Sequence, residues 1–401
     1  MKRLKNNKNY IVGIISPTDF VKRYPFGGTS GFIQNIIPFF KQKIKIFGAG
    51  VGDTQLYKEY SLFRNSTFVP LFKISRNTMM PLRLKALIGY LKNKKKIIES
   101  GPDILYIHSP ESVLPFIFLN KKNVPVVYHQ HGSANPVSFS KHLFARNRFF
   151  QNVFNVILKT IYKRCDWIIV IDKLCLEQAE RFGAKGKTSL MMNAVDRKQF
   201  RVDNATRDRM RAKYNCSENT LVVFFAGRLE HVKNVDLLIK SISIANDKIK
   251  MKLFLAGDGT QRAVLEDLAN SLNIDCNFLG QVPHNRLAAY YNMSDVLVLP
   301  SKIEGVPMVI LEALSCGTPV IATKVGGIPE IVNKTNGILI ENPDPNTIAS
   351  ALVQINKANF TRTQISESVS QFSTEQFAES IEALFAQLIA KKELLTQHET
   401  K

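Results

Sequence analysis

The residues best suited to chemistry lie between Ser294 and Glu330, in the stretch SDVLVLPSKIEGVPMVILEALSCGTPVIATKVGGIPE. A strand running to Pro300 gives way to a loop carrying Glu304 and Gly305. Pro307, which has no amide hydrogen to leave unsatisfied, is placed as the first residue of a helix. The amides from Val306 to Val309, Met308 among them, are then free at the helix start. There the helix dipole adds a positive field, which suits a phosphate or diphosphate. Glu304 stands in front of such an anion. Glu312 lies about 8 Å further along the helix axis, so the two carboxylates can touch different parts of one extended ligand, a sugar on one side of a diphosphate and a ribose on the other. The competing reading makes Glu304 a solvated loop acid and Glu312 a surface helix residue. Against it, Glu312 is flanked by Val309, Ile310, Leu311, Ala313 and Leu314.

A second cluster is Phe225 to Asn234, FAGRLEHVKN, in which a strand runs into Gly227, Arg228 and, just before a helix, Lys233. Two cations at the carboxyl end of a strand, beside a glycine that lets backbone approach, suit a diphosphate in the crevice of an open sheet. Merely solvated basic residues are the alternative. Ala256 to Gly259, AGDG, follows the next strand and reads as a tight turn. In the first half, Phe26-Gly27-Gly28-Thr29-Ser30-Gly31 forms a glycine-rich loop opening a helix at Phe32, without the complete dinucleotide fingerprint. His129-Gln130-His131-Gly132 ends a strand. An imidazole there can face a ligand or serve as a hydrogen-bonded structural group, and the ligand-facing role falls more to His131 than to His129. His108, before Ser109 and Pro110, stays open between the two. No Asp-x-Asp pair, no Gly-x-x-x-x-Gly-Lys loop and no His-Glu-x-x-His occurs, so a metal-free mechanism using Arg, Lys and helix amides is expected.

The elements that must position these groups follow from periodicity. From Thr220 onward, strands at 221–226, 252–256, 276–279, 296–299, 319–322 and 338–340 alternate with helices at 235–246, 261–273, 285–292 and 307–316, the pattern of a doubly wound parallel sheet. The first half repeats the theme with strands at 10–15, 44–47, 104–107, 126–129 and 167–171 and basic amphipathic helices at 81–99 and 139–164. The expected fold class is α/β, two Rossmann-like domains facing a cleft. The expected domains are 1–196 and 197–373, with a helix at 374–395 packing back on the first.

The chain of 401 residues is 45% hydrophobic and 22% charged, which excludes a disordered or fibrous protein. Its five cysteines are scattered with no Cys-x-x-Cys pair, so neither a disulfide framework nor a thiolate zinc site is indicated, and a reducing cytosol is expected. No apolar run reaches the roughly 18 residues of a spanning helix, and the basic start leads into a strand rather than a signal sequence. Charge is uneven: residues 1–200 hold 33 basic and 11 acidic side chains, residues 201–401 hold 21 and 22. The first half therefore faces something negative, an anionic membrane surface above all. A nucleic-acid-binding protein is the non-enzymatic rival, but aromatic residues do not interleave with the basic ones on a recognised motif.

Taken together these residues resemble the GT-B glycosyltransferases, and among them retaining family 4, whose signature is Glu, seven residues, Glu, as at Glu304 and Glu312. The resemblance spans Thr220 to Gly337 through Gly227-Arg228-Leu229 with Lys233, the AGDG turn, Glu304-Gly305, Glu312-Ala313, Gly317 to Ala322 and Gly326 to Glu330. It implies that Glu304 contacts the donor sugar, Glu312 the nucleotide ribose, Arg228 and Lys233 the diphosphate, that His131 lies near the anomeric carbon, and that the loop at Gly27 and Gly28 closes over the diphosphate. Asn193-Ala194-Val195-Asp196 looks like the family's Asn-Gly-Val-Asp, with alanine in place of glycine. The implied activity is metal-independent transfer of a sugar from a nucleotide-diphospho-sugar, a UDP-sugar first and GDP-mannose next, to a lipid-linked or growing polysaccharide acceptor. Surface polysaccharide synthesis on the inner face of the plasma membrane is the expected setting, with no separate cofactor and no nucleic acid. An epimerase or phosphorylase of the same fold is the enzymatic alternative.

Overall fold

The computed structural model describes residues 9–25, 28–75, 80–118, 124–132 and 147–399. The chain divides into two compact units, one of residues 1–192 with 375–401 and one of residues 193–374. The sequence boundaries were placed at 196/197 and 373/374. Gly27 and residues 139–146 of the expected second basic helix lie outside the described residues.

The first unit is built on eight strands, β1 (Ile11–Ile15), β2 (Lys43–Val51), β3 (Tyr60–Phe63), β4 (Ser66–Ile74), β5 (Ile104–Ile107), β6 (Val126–Gln130), β7 (Trp167–Val170) and β8 (Thr188–Leu190). Their order is β3-β4-β2-β1-β5-β6-β7-β8, parallel except for the β3/β4 pair. The chain moves outward from β1 to β2 on one side and from β5 to β8 on the other, so the strand order reverses between β1 and β5, the place where an open α/β sheet leaves a crevice beyond its carboxyl ends. β5 and β6 are buried on both faces. The loop after β1 is tied by the buried Asp19, whose Oδ1 accepts from the amides of Val21 and Lys22 and whose Oδ2 accepts from the Val51 amide and the Thr54 hydroxyl. The following helix spans Gly28–Ile36, so it begins four residues earlier than the Phe32 start read from the sequence. The long helix Thr374–Glu399 is anchored in this unit from residue 375 on. The Glu382 carboxylate accepts from the amides of Lys41 and Gln42, and the Tyr10 hydroxyl donates to the Glu382 carbonyl.

The second unit is a six-stranded, wholly parallel sheet of β9 (Leu221–Ala226), β10 (Met251–Ala256), β11 (Cys276–Gly280), β12 (Val296–Leu299), β13 (Val320–Thr323) and β14 (Gly337–Ile340), in the order β11-β10-β9-β12-β13-β14. Each strand lies within a residue or so of its expected position. β9, β12 and β13 are buried at every residue, as central strands covered on both faces must be. At their amino ends Asp295 accepts from Arg207, from Arg211 and from the Val222 amide, which locks β12 beside β9. Here the order reverses between β9 and β12. The residues following those two strands are Gly227-Arg228 and Pro300 to Glu304. Both units are thus Rossmann-like.

Candidate functional site

In the second unit the loops after β9 and β12 are fastened together before either side chain of interest is placed. A 3₁₀ turn, His231–Lys233, ends at Asn234, whose left-handed backbone (φ +51°) redirects the chain into the helix Val235–Ala245. The Asn234 side-chain amide donates to the Pro300 carbonyl at 2.9 Å, and the Lys302 amide donates to the Val232 carbonyl at 2.8 Å. That brings Lys233 to Glu304, an ion pair with Nζ–Oε1 2.5 Å and side chains only 17% and 10% exposed. Arg228 is exposed and forms no ion pair among the described residues. Beneath Arg228, Gly257 adopts φ +141° and packs where a Cβ would lie 1.8 Å from the Gly227 carbonyl oxygen. The AGDG turn is therefore a spacer that lets the two loops touch.

The helix after Glu304 spans Met308–Ser315, with Pro307 as its N-cap (φ −73°, ψ 123°) rather than its first helical residue. The correction has a physical reason: with no capping side chain, Pro307 supplies its carbonyl to the Ile310 amide while its extended ψ keeps it outside the helix. The amides of Met308 and Val309 stay at the open end, as does that of Val306, whose carbonyl accepts from the Asn193 side chain. Gly326, at φ +56°, supports this loop from below. A Cβ there would lie 2.1 Å from the Glu304 carbonyl oxygen, and the neighbouring Gly327 amide donates to the Gly305 carbonyl at 2.8 Å. Gly326→Ala is expected to displace Glu304 and to destabilise the unit by roughly 1–3 kcal/mol. Urea denaturation checks this, and an unchanged midpoint would contradict the packing described.

Glu312 is 2% exposed, with both oxygens occupied: the Tyr291 hydroxyl donates to Oε2 at 2.8 Å and His284 Nε2 lies 2.8 Å from Oε1. The half-exposed His284 is its partner on the solvent side. Burial pushes the His284 imidazole down, but the hydrogen bond and charge of Glu312 and the charge of Asp196 together push it further up, so its pKa is raised above the ordinary 6.5. A base raised on folding binds more protons in the folded than in the unfolded chain. Its stabilisation is fully present below pH 6.5 and is lost as pH rises through the raised value. Melting temperatures of the wild type and His284→Gln should accordingly differ below pH 6.5 and converge at higher pH; a constant gap would overturn the assignment.

In the first unit the carboxyl ends of β1, β5 and β6 surround a cavity of about 380 Å³ lined by Ser16, Thr18, Gly28, Ser109, Gln130 and His131, with Arg83 and Glu111 at its edge. This volume falls in the range of small-molecule sites. His131 is half-buried, and burial pushes its imidazole down to about 3, so it is neutral at physiological pH. Gly28, at the start of its helix, has open space around it. The structure thus gathers Lys233, Glu304, Gly305 and the amides of Val306, Met308 and Val309 in one unit, with Arg228 on the adjoining loop, and places His131 and Gly28 together in the other.

Two family models match adjoining stretches that together span most of the chain: Glycosyl transferases group 1 over residues 206–372 and Glycosyltransferase Family 4 over residues 34–199. The chain belongs to the group 1 glycosyl transferases. An uncharacterized glycosyltransferase of Methanocaldococcus jannaschii, MJ1178, is 26% identical to this group 1 chain over 90% of its length and 93% of the relative's. Several other curated relatives are matched over half of their own length or less. Among solved structures, sucrose-phosphate synthase from Thermosynechococcus elongatus superposes with a TM-score of 0.79 at 21% identity, covering 96% of this chain and all of that one. Anabaena HepE in complex with UDP-glucose superposes with a TM-score of 0.70 at 18% identity, over 94% and 100%. These likenesses carry the fold, the two Rossmann-like domains of the GT-B class.

Three residues of this group 1 chain's site escape the sequence reading. His284 and Tyr291 lie 28 and 21 positions before Glu312, in the helix His284–Met293, and no spacing rule links them to it. Asn193, noted only as part of a boundary motif, holds the Val306 carbonyl. A buried glutamate with apolar neighbours does signal that polar partners exist, since an unpaired buried carboxylate is costly, but not where in the chain they are.

Proposed function

We propose that this chain is a retaining glycosyltransferase whose second unit holds a nucleotide-diphospho-sugar, a UDP-sugar by preference, and whose first unit holds a lipid-linked or growing polysaccharide acceptor. The observation that carries the reading is the Lys233–Glu304 pair at the strand-order reversal between β9 and β12, facing the open helix start at Met308 and the exposed Arg228. Breaking the bond from the anomeric carbon to the diphosphate oxygen leaves positive charge on the sugar and negative charge on the nucleotide. Arg228, Lys233 and the amides of Val306, Met308 and Val309 stabilise the second, Glu304 meets the sugar, and Glu312 meets the ribose by exchanging His284 for a ribose hydroxyl. The acceptor hydroxyl arrives on the face the diphosphate leaves, gives its proton to the departing oxygen, and configuration is retained. The UDP-glucose bound by the structurally similar HepE supports the choice of donor class. No step uses a metal or a separate cofactor.

The test is a thermal-shift panel of sugar nucleotides followed by acceptor-dependent release of nucleoside diphosphate. A true donor at a hundred times its Kd raises folded-state stability by about 2.7 kcal/mol. If no sugar nucleotide moves the transition, or if nucleotide is released equally without acceptor, the reading fails in favour of an epimerase, a phosphorylase or a binding protein.

The setting we propose is the inner face of the plasma membrane. No helix among the described residues is long and apolar enough to cross a membrane. The helix Arg148–Arg164, however, exposes Val153 (42%) and Val156 (65%) together with the cations Arg148, Lys159, Lys163 and Arg164. An apolar stripe bordered by cations suits an anionic lipid surface, at about 1 kcal/mol for each basic residue near it. Vesicle sedimentation should show binding to anionic but not to neutral lipid, weakened in Val153→Ser with Val156→Ser; equal binding to both lipids removes the electrostatic argument.

A further inference from the structure

Three imidazoles meet at the cavity of the first unit. His108 Nδ1 lies 2.8 Å from His131 Nε2, and the His129 and His131 rings stack at 4.2 Å between centroids. One ring nitrogen of each could face a cation, all within 4.8 Å of one another. As they stand, though, the rings do not form a preformed ligand set. His131 Nε2 is engaged with His108 Nδ1 at 2.8 Å, closer than the roughly 3.3 Å between two nitrogens on one tetrahedral zinc, so these two nitrogens face each other rather than a shared ion. The 2.8 Å contact is a hydrogen bond between neutral rings. Burial pushes the imidazoles of His108 and His129 well below their ordinary range and His131 down to about 3.

A neutral imidazole carries one proton, so one nitrogen donates and the other accepts. If His108 donates from Nδ1, then His131 accepts at Nε2 and carries its own proton on Nδ1. If His131 donates from Nε2, then His108 accepts at Nδ1 and is protonated on Nε2. In either case the two rings hold the same tautomer. The hydrogen bond also decides whether His131 Nδ1, the ring nitrogen not engaged with His108, is a donor or an acceptor. The far nitrogen of His108, Nε2, is buried without a partner among the described residues, and a buried N–H left without an acceptor is costlier than a bare ring nitrogen, so the proton is held on Nδ1 and His108 is the donor. The plane of His131 is fixed by His129 on one side and by Phe32, whose centroid is 5.0 Å away and edge-on. His129 is fixed in turn by Tyr106, whose hydroxyl lies 2.5 Å from Nδ1.

We propose that His108 is a positioning residue that locks His131 into one tautomer and thereby sets the polarity of the nitrogen His131 turns to the substrate. The link to substrate rests on the role proposed above for His131; the locking itself does not. The experiment is long-range proton–nitrogen correlation NMR on the full chain labelled with ¹⁵N-histidine at pH 7. It is expected to show His108 and His131 each in a single tautomer and in the same one. In His108→Phe, which keeps an aromatic ring and removes the partner atom, the His131 nitrogen shifts should move toward those of a tautomer mixture. In His108→Asn, which restores a polar atom near the Nδ1 position, they should return toward a single form. Opposite tautomers in the wild type overturn the proposal whether or not the variants fold, and so do His131 shifts that are the same in His108→Phe and the wild type. With a donor in hand, His108→Phe should lower kcat about tenfold or more at constant KM, and should have no further effect in a His131→Ala background. Full turnover in His131→Ala alone would instead remove the functional role of His131 and leave the tautomer lock standing.

Discussion

Arg228→Ala is expected to lower turnover of the donor by about 10²–10³-fold with an unchanged melting temperature, and Lys233→Ala to lower it as much while also destabilising the second unit. The difference comes from what each cation touches. Arg228 is exposed and forms no ion pair among the described residues, so on the role proposed for it its removal takes charge away from the leaving diphosphate and nothing from the fold. Lys233 is the partner of a glutamate only 10% exposed, and its loss leaves Glu304 with a poorly hydrated charge. Breaking a buried pair from one side costs up to about 3–5 kcal/mol, less here because both groups keep some water. The second substitution that separates the two effects is Glu304→Gln. Added to Lys233→Ala it should restore most of the lost stability, because a neutral amide needs no counter-charge, and none of the lost turnover, because the cation and the carboxylate that meet the substrate are both gone. Urea denaturation and nucleoside diphosphate release read the two quantities independently. Near-normal turnover in both single variants would refute the diphosphate assignment.

The two units were not equally legible. In the second, the central strands β9, β12 and β13 are runs rich in β-branched or aromatic residues, each adjoining a glycine or proline and buried on both faces, so burial and propensity agree. In the first, β4 was missed because Pro70 sits in its middle, where a proline argues against an interior strand. The structure accommodates it at an irregularity: Gly48 faces Pro70 and the next residue, Ala49, faces Phe72, so Leu71 has no opposite number. β8 was missed for a different reason, being three half-exposed residues with no apolar pattern. Within the site, local motifs identified Arg228, Lys233, Glu304 and the helix start because all of them flank strand ends. The His284–Glu312–Tyr291 set depends on a packing of two helices that no local pattern encodes. The histidine cluster was partly legible. Tyr106 and His108 on and just past β5, and His129 and His131 on and just past β6, are each two residues apart on paired strands, and residues two apart share a face.

That cluster makes the first unit acid-sensitive. His108 is 5% exposed and His129 fully buried, and both have a pKa pushed far below 6.5, by burial first and by the neighbouring imidazoles second. A base depressed on folding binds fewer protons folded than unfolded. Its contribution is therefore present above the unfolded pKa of about 6.5 and is lost as pH falls below it. His131, pushed down to about 3, is still neutral in the folded chain at pH 5 and has by then withdrawn about 2 kcal/mol from a unit whose whole stability is of the order of 5–15 kcal/mol, and His108 and His129 act in the same direction. The single tryptophan of the chain, Trp167 in β7, reports this unit, its indole donating to the Ser189 hydroxyl at 2.9 Å. Its fluorescence in urea should show the midpoint falling steeply from pH 7 to pH 5. Carboxylates elsewhere also titrate on acidification, so the decisive quantity is a difference between proteins. His129→Phe should cost about 1 kcal/mol at pH 7, because Tyr106 loses its partner, and should then lose less stability than the wild type on going to pH 5. Parallel losses in the two proteins would mean that His129 is already protonated in the folded chain. Each neutral ring would then need an explanation other than burial.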